Sequence, residues 1–325
     1  MANRAPYYRI VFGLAALYNL AFGVWAGFAP GSFFNLFDLA PPTYPALWRC
    51  IGMLVGTYAL AYGYAAWRPE RAAPLIAVGL LGKILGPLGW IATVHSGEWP
   101  IRTFPLVLFN DIVWWLPFSL FLLEGTKVGE RIRGRAPEAC AILNGLAAAA
   151  TVLWLRPGTE LVPDPAARAA YILANPILWR GGWGLWIAAG LSLLAFYAWW
   201  GSRLRARSWG IAGFLVAAAG LACDLSAESL FIGWLPDDLE ALQRAASLLT
   251  GGAANGLYTV AGVILTLKTG NLRGGLLVWT WGVWGAGFAL TAATFAGSAP
   301  FIALFTGTLM ALFCPWAAII GRFLR

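Results

Sequence analysis

Charged residues inside long apolar segments are the first candidates for chemistry in this sequence. In the first half they are Lys83 and Asp111, with Asn110 beside the aspartate and Arg49 at the start of another apolar segment. A charge at the centre of a bilayer costs roughly 3 kcal/mol or more, so such residues are candidates for function. A rise of about 1.5 Å per residue places Arg49, Asp111 and Lys83 within mutual reach. We expect a cluster of two cations and one anion that receives an anionic group.

The segment that carries Lys83 has a pattern of its own. Pro87 follows Lys83 by four residues, so its ring prevents the Lys83 carbonyl from making the usual helical hydrogen bond. Glycines surround the lysine at positions 79, 82, 86 and 89. This pattern predicts a kinked helix with room for a ligand beside Lys83. The alternative is that Lys83 and Asp111 only neutralise each other and the glycines only allow close helix packing.

The second half contains two acids four residues apart. Asp224 and Glu228 lie on one face of an apolar helix, and Asn255 lies in a glycine-rich stretch of the next. Two carboxylates serve as general acid and base in an enzyme, or as a cation or proton site. The alternative is that they are solvated at the membrane surface beside Asp237, Asp238 and Glu240.

A helical stripe of tryptophans precedes these acids. Trp179 and Trp183 belong to it, and Arg180 occupies the position that Arg49 holds in the first half. These residues complete the predicted binding site. Belt positions at the membrane surface account for most tryptophans in membrane proteins, which is the alternative for this stripe.

Several chemistries have no support in the sequence. His95 is the only histidine, and Cys50, Cys140, Cys223 and Cys314 are far apart, so we predict no metal site. No nucleotide-binding loop or hydrolase motif occurs, and the pattern indicates no particular cofactor. The net charge of +8 lies mainly in short runs between apolar segments, so we expect no nucleic-acid partner.

The composition identifies the elements that position these residues. Hydrophobic residues make up 60% of the 325 residues and charged residues 11%, against about 25% charged in a soluble domain. Mean hydropathy is +0.71. The sequence therefore predicts an all-α polytopic transmembrane helix bundle, with the lipid bilayer as its first partner.

About ten segments are long and apolar enough to span. They are residues 8–28, 45–67, 74–94, 104–123, 139–155, 179–200, 208–232, 246–267, 275–296 and 300–321. With a cytoplasmic amino terminus, fifteen of the 22 basic residues fall on the inner side and Lys83 falls within a segment. The other six are Arg49, Arg102, Arg156, Arg168, Arg180 and Arg244. This asymmetry predicts cytoplasmic termini in a membrane of the bacterial inner (cytoplasmic) type.

A short motif occurs twice. Residues 45–49 read Pro-Ala-Leu-Trp-Arg and residues 176–180 read Pro-Ile-Leu-Trp-Arg. Each copy is preceded by an apolar segment that contains an asparagine, Asn19 or Asn144, and then by a Pro-Gly-Ser/Thr sequence. We expect a parallel duplication of a four-helix unit followed by a helix pair. The predicted parts are a first unit at 1–126, a basic cytoplasmic linker at 127–138, a second unit at 139–268 and the C-terminal pair at 269–325.

The sequence is compatible with three functions. The first is binding or transport of a small anionic or amphipathic compound through the charge cluster. The second is a metal-independent membrane enzyme that uses Asp224 and Glu228 for acid–base chemistry on a lipid or isoprenoid. The third is a non-catalytic subunit or assembly factor that contacts other membrane proteins. Buried charges are compatible with all three.

Overall fold

The computed structural model describes residues 5–233 and 239–325, which form helices and no strand. In chain order the helices are α1 (Ala5–Phe28), α2 (Pro30–Leu36), α3 (Pro45–Trp67), α4 (Ala73–His95), α5 (Phe104–Val107), α6 (Val113–Leu122), α7 (Lys127–Gly134), α8 (Ala136–Ala150), α9 (Pro165–Ala174), α10 (Pro176–Gly201), α11 (Arg207–Gly233), α12 (Leu239–Ser247), α13 (Asn255–Lys268), α14 (Gly274–Ala296) and α15 (Ala299–Phe323). Leu108–Ile112, Thr151–Leu155 and Leu248–Ala254 are π-helical.

The all-α membrane bundle predicted from the sequence is confirmed. Within the described residues, nine helical runs are long and apolar enough to cross a membrane. They cover nine of the ten predicted segments. The remaining predicted segment, 45–67, forms α3, a helix of 23 residues that is not among the nine. Three tyrosines, three glycines and Arg49 reduce its apolar content.

The chain divides into two compact units, Met1–Glu130 and Arg131–Arg325. The division falls within the basic stretch that was predicted to link two modules. Helices α14 and α15, predicted as a separate pair, lie within the second unit.

In the first unit, glycines bring α1 and α3 into backbone contact. A Cβ atom added at Gly23 would lie 2.7 Å from the Gly56 Cα, and one added at Gly52 would lie 2.7 Å from the Gly27 nitrogen. The two helices therefore run antiparallel with their backbones touching, through a Gly-xxx-Gly pair on each. Because α1 is apolar enough to span, this packing holds α3 alongside a membrane-spanning helix.

The second unit is a closed ring of six helices. Each of the helices α8, α10, α11, α13, α14 and α15 packs against the next in this order, and α15 packs back against α8. The closing contact is tight, because a Cβ atom added at Gly321 would lie 2.3 Å from the Pro137 Cβ. At the same place, Arg325 forms an ion pair with Glu138 at 2.5 Å. The ring leaves a central cavity, which is described below.

The two units share an order of elements. Each has a long helix, a short helix in the following connection, and a second long helix that begins with a proline, Pro45 in α3 and Pro176 in α10. Two further long helical runs come next in each, and the second of these contains a π-helical segment, Leu108–Ile112 or Leu248–Ala254. Helices α14 and α15 then follow in the second unit alone. The internal duplication itself stays a prediction.

Replacing Gly52 by alanine tests the contact between α1 and α3. We expect Gly52→Ala to lower the free energy of unfolding by about 2 kcal/mol, because the new methyl group meets the backbone of α1. The measurement is thermal unfolding in mild detergent, followed by circular dichroism. Gly63→Ala in the same helix is the matched control, since nothing lies within 4 Å of its added Cβ. Equal midpoints for both variants would refute the backbone contact.

Candidate functional site

The first unit contains the predicted pair of buried charges. Lys83 Nζ in α4 lies 3.7 Å from Asp111 Oδ1, and both side chains are more than nine-tenths buried. Asn110 links them, because its Oδ1 accepts a hydrogen bond from Lys83 at 3.4 Å and its Nδ2 donates one to Asp111 at 2.8 Å. The π-helical segment carries both Asn110 and Asp111. The lysine charge is thus neutralised by a carboxylate within its own unit.

The carbonyl group that Pro87 frees is also satisfied from within the unit. The Lys83 carbonyl, which the proline leaves without a helical donor, accepts a hydrogen bond from the indole nitrogen of Trp115 at 2.8 Å. A Cβ atom added at Gly86 would lie 2.6 Å from Asp111 Oδ2. The carboxylate therefore packs directly on the backbone of α4, and this glycine makes room for it.

Arg49 does not join this pair. It is exposed on the first turn of α3, whereas Lys83 and Asp111 are buried. No ion pair joins Arg49 to either residue in the described part of the chain. The structure thus brings together three of the four residues predicted here, Lys83, Asn110 and Asp111.

The second unit contains a partly open cavity of about 990 Å³, lined by all six helices of its ring. Every helix of the ring contributes to its wall, and most of the lining side chains are aliphatic or aromatic. The polar residues on the wall include Asn144, Asp224, Thr250, Asn255 and Tyr258. A large, mostly apolar cavity with a few polar groups is typical of a binding site for a small molecule.

Asp224 is the acid on this wall that is held by hydrogen bonds inside the ring. Its side chain is 7% exposed. Thr250 in the π-helical segment donates a hydrogen bond to Oδ1 at 2.5 Å, and Tyr258 in α13 donates one to Oδ2 at 3.2 Å. A π-helical turn changes the direction of the side chains that follow it, and such turns are frequent at functional sites. The carboxylate is thereby fixed in position at the cavity.

Glu228 lies one turn further along α11 and is more deeply buried. It is 1% exposed, and its Oε2 has no hydrogen-bond partner among the described residues. It is not among the residues that line the cavity, all of which are described. The two acids predicted to act together are therefore neighbours on one helix, but Asp224 reaches the cavity and Glu228 does not.

The predicted tryptophans have different roles. Trp183 lines the cavity and stacks on Phe231, with ring centroids 3.8 Å apart and an angle of 9° between the planes. Trp179 is buried behind this pair and donates a hydrogen bond to the Phe231 carbonyl at 2.7 Å. Trp179 thus supports the wall that Trp183 and Phe231 form. Arg180, between the two tryptophans, is exposed and does not line the cavity.

Asn255 lines the cavity and ties α13 to α14. Its Nδ2 donates to the Gly287 carbonyl at 2.6 Å and contacts the Thr291 hydroxyl at 2.9 Å. Its amide oxygen is the atom that remains for a ligand. Asn144 in α8 also lines the cavity, and its Nδ2 donates to the Cys140 carbonyl at 3.0 Å.

The cavity extends to Arg156 and Glu160, in the connection between α8 and α9. Near them, Arg168 in α9 is buried and donates a hydrogen bond to Gln243 in α12. Gln243 lines the cavity and donates in turn to the Gly158 carbonyl at 2.5 Å. This chain of hydrogen bonds fixes the connecting segments around that end of the cavity.

Sequence reasoning missed several cavity residues. Thr250 and Tyr258 orient Asp224, but isolated hydroxyl residues in an apolar helix carry no distinctive pattern. Eight residues of regular α-helix would leave the two side chains about 80° apart around the axis, so their spacing did not indicate that they meet. Asn144 was noticed only as part of the repeated motif, and α15 was not expected to line a site at all.

No protein-family model, curated protein or solved structure matches this chain. Among the described residues, no group of three or more histidine, cysteine, aspartate or glutamate side chains is placed to hold a metal ion.

The buried pair in the first unit gives a direct test of whether Lys83 and Asp111 stabilise the fold. We expect Lys83→Met to lower the free energy of unfolding by roughly 3–5 kcal/mol, because it leaves Asp111 buried without its cation. The double variant Lys83→Met/Asp111→Asn removes both charges and is expected to recover most of the loss. The measurement is thermal unfolding of the purified variants in the same detergent.

The control is Lys127→Met, the same change at an exposed lysine at the start of α7, which should alter stability by less than about 0.5 kcal/mol. A double variant as unstable as Lys83→Met would contradict a purely neutralising role. A stable Lys83→Met variant that has lost a bound anion would instead support the anion site predicted from the sequence.

Proposed function

We propose that this integral membrane protein binds a small amphipathic compound in the cavity of its second unit, as a binding protein or a transporter. The single observation that carries the proposal is the cavity of about 990 Å³ with the buried carboxylate of Asp224 on its wall. Its volume is at the upper end of the range of roughly 300–1,000 Å³ in which small-molecule sites fall. The apolar wall suits the apolar body of the compound, and Asp224, Asn144 and Asn255 suit its polar group.

The second unit is favoured over the first for a physical reason. Lys83, Asn110 and Asp111 are bonded to one another, so a ligand there would have to displace an existing ion pair. Asp224 faces open space on one side and is held by neutral donors on the other. The binding residues in the proposal are therefore Asp224, Asn255 and Trp183, with Trp179 in support.

Binding is favoured over acid–base catalysis by the position of Glu228. A two-carboxylate mechanism needs both groups within hydrogen-bond reach of the substrate. Only Asp224 lines the cavity, and Glu228 lies behind it. An enzyme that uses Asp224 and Glu228 as a catalytic pair stays a prediction, as does a role as a subunit that contacts other membrane proteins.

The proposed location is a bacterial-type inner membrane, with both termini in the cytoplasm. The excess of basic residues in the connections on one side supports this arrangement, provided that α3 spans alongside α1. We expect carboxyl-terminal fusions to green fluorescent protein to fluoresce and fusions to alkaline phosphatase to be inactive. Active phosphatase would place the carboxyl terminus outside and imply an odd number of spans.

Filling the cavity with a side chain tests the proposed site. Gly145 lines the cavity, and the nearest atom to its added Cβ is the Cys314 Sγ at 4.0 Å, so a larger residue extends into open space. We expect Gly145→Phe to reduce binding of the neutral probe N-phenyl-1-naphthylamine on the order of tenfold, because the ring occupies its place. The measurement is probe fluorescence with protein in detergent, corrected for empty micelles.

Gly181→Phe is the matched control. Gly181 is exposed on α10, away from the cavity, with nothing within 4 Å of its added Cβ. It should bind the probe like the parent protein. Equal binding by all three proteins, or none by the parent, would refute the cavity as the binding site. If Gly145→Phe unfolds at a lower temperature, Gly145→Leu replaces it in the same comparison.

A further inference from the structure

We infer that the compound bound in the second unit is an organic cation with a large apolar body, whose positive charge is held by Asp224. This inference rests on the proposed function and specifies its ligand class. Three features of the second unit support it. They are the formal charge of the cavity wall, the absence of an ion-pair partner for Asp224 among the described residues, and the aromatic side chains that line the cavity.

The formal charge of the cavity wall, counted with ionised side chains, is negative. Its lysine, arginine, aspartate and glutamate residues are Arg156, Glu160 and Asp224, which gives one positive and two negative side chains. Arg156 and Glu160 both lie in the connection after α8, where their charges offset each other. The charge that remains inside the ring is that of Asp224.

No residue of the ring neutralises this charge. The stretches 139–155, 181–202, 208–233, 245–267 and 274–321 contain no lysine, arginine or histidine. Among the described residues, neither Asp224 nor Glu228 takes part in an ion pair. The hydrogen bonds to Asp224 come from neutral hydroxyl groups, which orient a carboxylate without cancelling its charge.

Of the basic residues in the segments around the ring, Arg156 lies on the cavity wall, whereas Arg168 and Arg244 are bonded elsewhere. Arg168 donates to Gln243 and lies 3.8 Å from Glu240. Arg244 donates to the Thr294 carbonyl at 3.0 Å, at the carboxyl end of α14, where a cation is favoured. Among the described residues, none of these arginines forms an ion pair with Asp224, so the position of its positive partner is open to a ligand.

The first unit shows the contrasting arrangement. There Asp111 is also buried in an apolar helix, and Lys83 of the same unit supplies its cation. A buried acid that keeps a free side on a cavity and lacks such a partner is complementary to a positive ligand. A carboxylate has about four lone-pair positions, and the two hydroxyl groups leave the others for that ligand.

The aromatic wall favours the same class of ligand. Trp183, Trp186, Tyr197, Tyr258 and Trp284 line the cavity together with Phe231 and Phe313. The faces of aromatic rings attract cations, and the attraction is stronger in a site from which water is excluded. The same rings cover the apolar body of a ligand. An anion would gain neither the aromatic attraction nor the pairing with Asp224.

The test compares two ions of nearly equal shape and opposite charge. Tetraphenylphosphonium and tetraphenylborate are bound by equilibrium dialysis to the purified full chain and to its Asp224→Asn variant, in the same detergent. We expect the variant to bind the cation on the order of 10- to 100-fold more weakly, because it loses a charge-assisted contact. Its affinity for the anion should stay the same or rise. Comparing variants at equal detergent removes the contribution of the micelles.

Asp164→Asn is the matched control, since Asp164 is the exposed cap of α9 and asparagine caps a helix equally well. It should leave the affinity for both ions unchanged. Equal loss of cation and anion binding in Asp224→Asn, with a lower unfolding temperature, would mean a general structural role and overturn the inference. To exclude damage to the fold, the variant is also checked with the neutral naphthylamine probe.

The outcomes separate this inference from the proposed function. If the cavity binds the neutral probe but Asp224→Asn does not weaken cation binding, the cation inference is wrong and the binding cavity stands. If neither the neutral probe nor the cation binds the parent protein, both are wrong. A cation loss confined to Asp224→Asn supports both.

Discussion

The constraint behind this structure is that a bilayer offers no water to a buried polar group, so a group that finds no partner among the helices is costly. The tryptophans illustrate it, because many donate their indole hydrogen to a neighbouring helix. Trp284 reaches Thr266, Trp316 reaches Thr280, and Trp115 reaches the Lys83 carbonyl. Hydrogen bonds are directional and apolar contacts are not, so these bonds determine how neighbouring helices are oriented against each other. Close approach through glycine, as between α1 and α3, supplies the rest.

The two units meet this constraint differently at their buried acids. Asp111 is paired with Lys83 and packed on Gly86, so its surroundings are complete. Asp224 is oriented by Thr250 and Tyr258 but has no cation, and one of its sides borders a cavity. The first arrangement favours rigidity, whereas the second keeps an acid available to a ligand. This difference places the proposed binding site in one unit although both carry charges in their membrane helices.

Much of the fold follows from local pattern, and the site follows from it only in part. Apolar length placed the helices, and the depth of Lys83 and Asp111 along their segments indicated that they meet. The same reasoning grouped Arg49 with them, because depth along the membrane normal contains no information about which way a side chain faces. The ring of the second unit depends on contacts between α8 and α15, far apart in sequence, which no local pattern indicates. The π-helical turn at Leu248–Ala254 shifts Thr250 relative to Tyr258, and helical periodicity assumes that no such shift occurs.

The closing contact of the ring has a consequence for biosynthesis. Helix α8 leaves the ribosome early, and its partner α15 follows only after the other four ring helices have been made. Until α15 docks at Pro137 and Glu138, the wall that carries Asp224 lacks one of its covering helices. The nascent unit therefore has to shield an acid from lipid while it waits for a later part of its own chain. Insertion machinery that holds early helices in a hydrated environment would keep this acid away from lipid until α15 is made. The order of synthesis makes ring closure a late step of assembly.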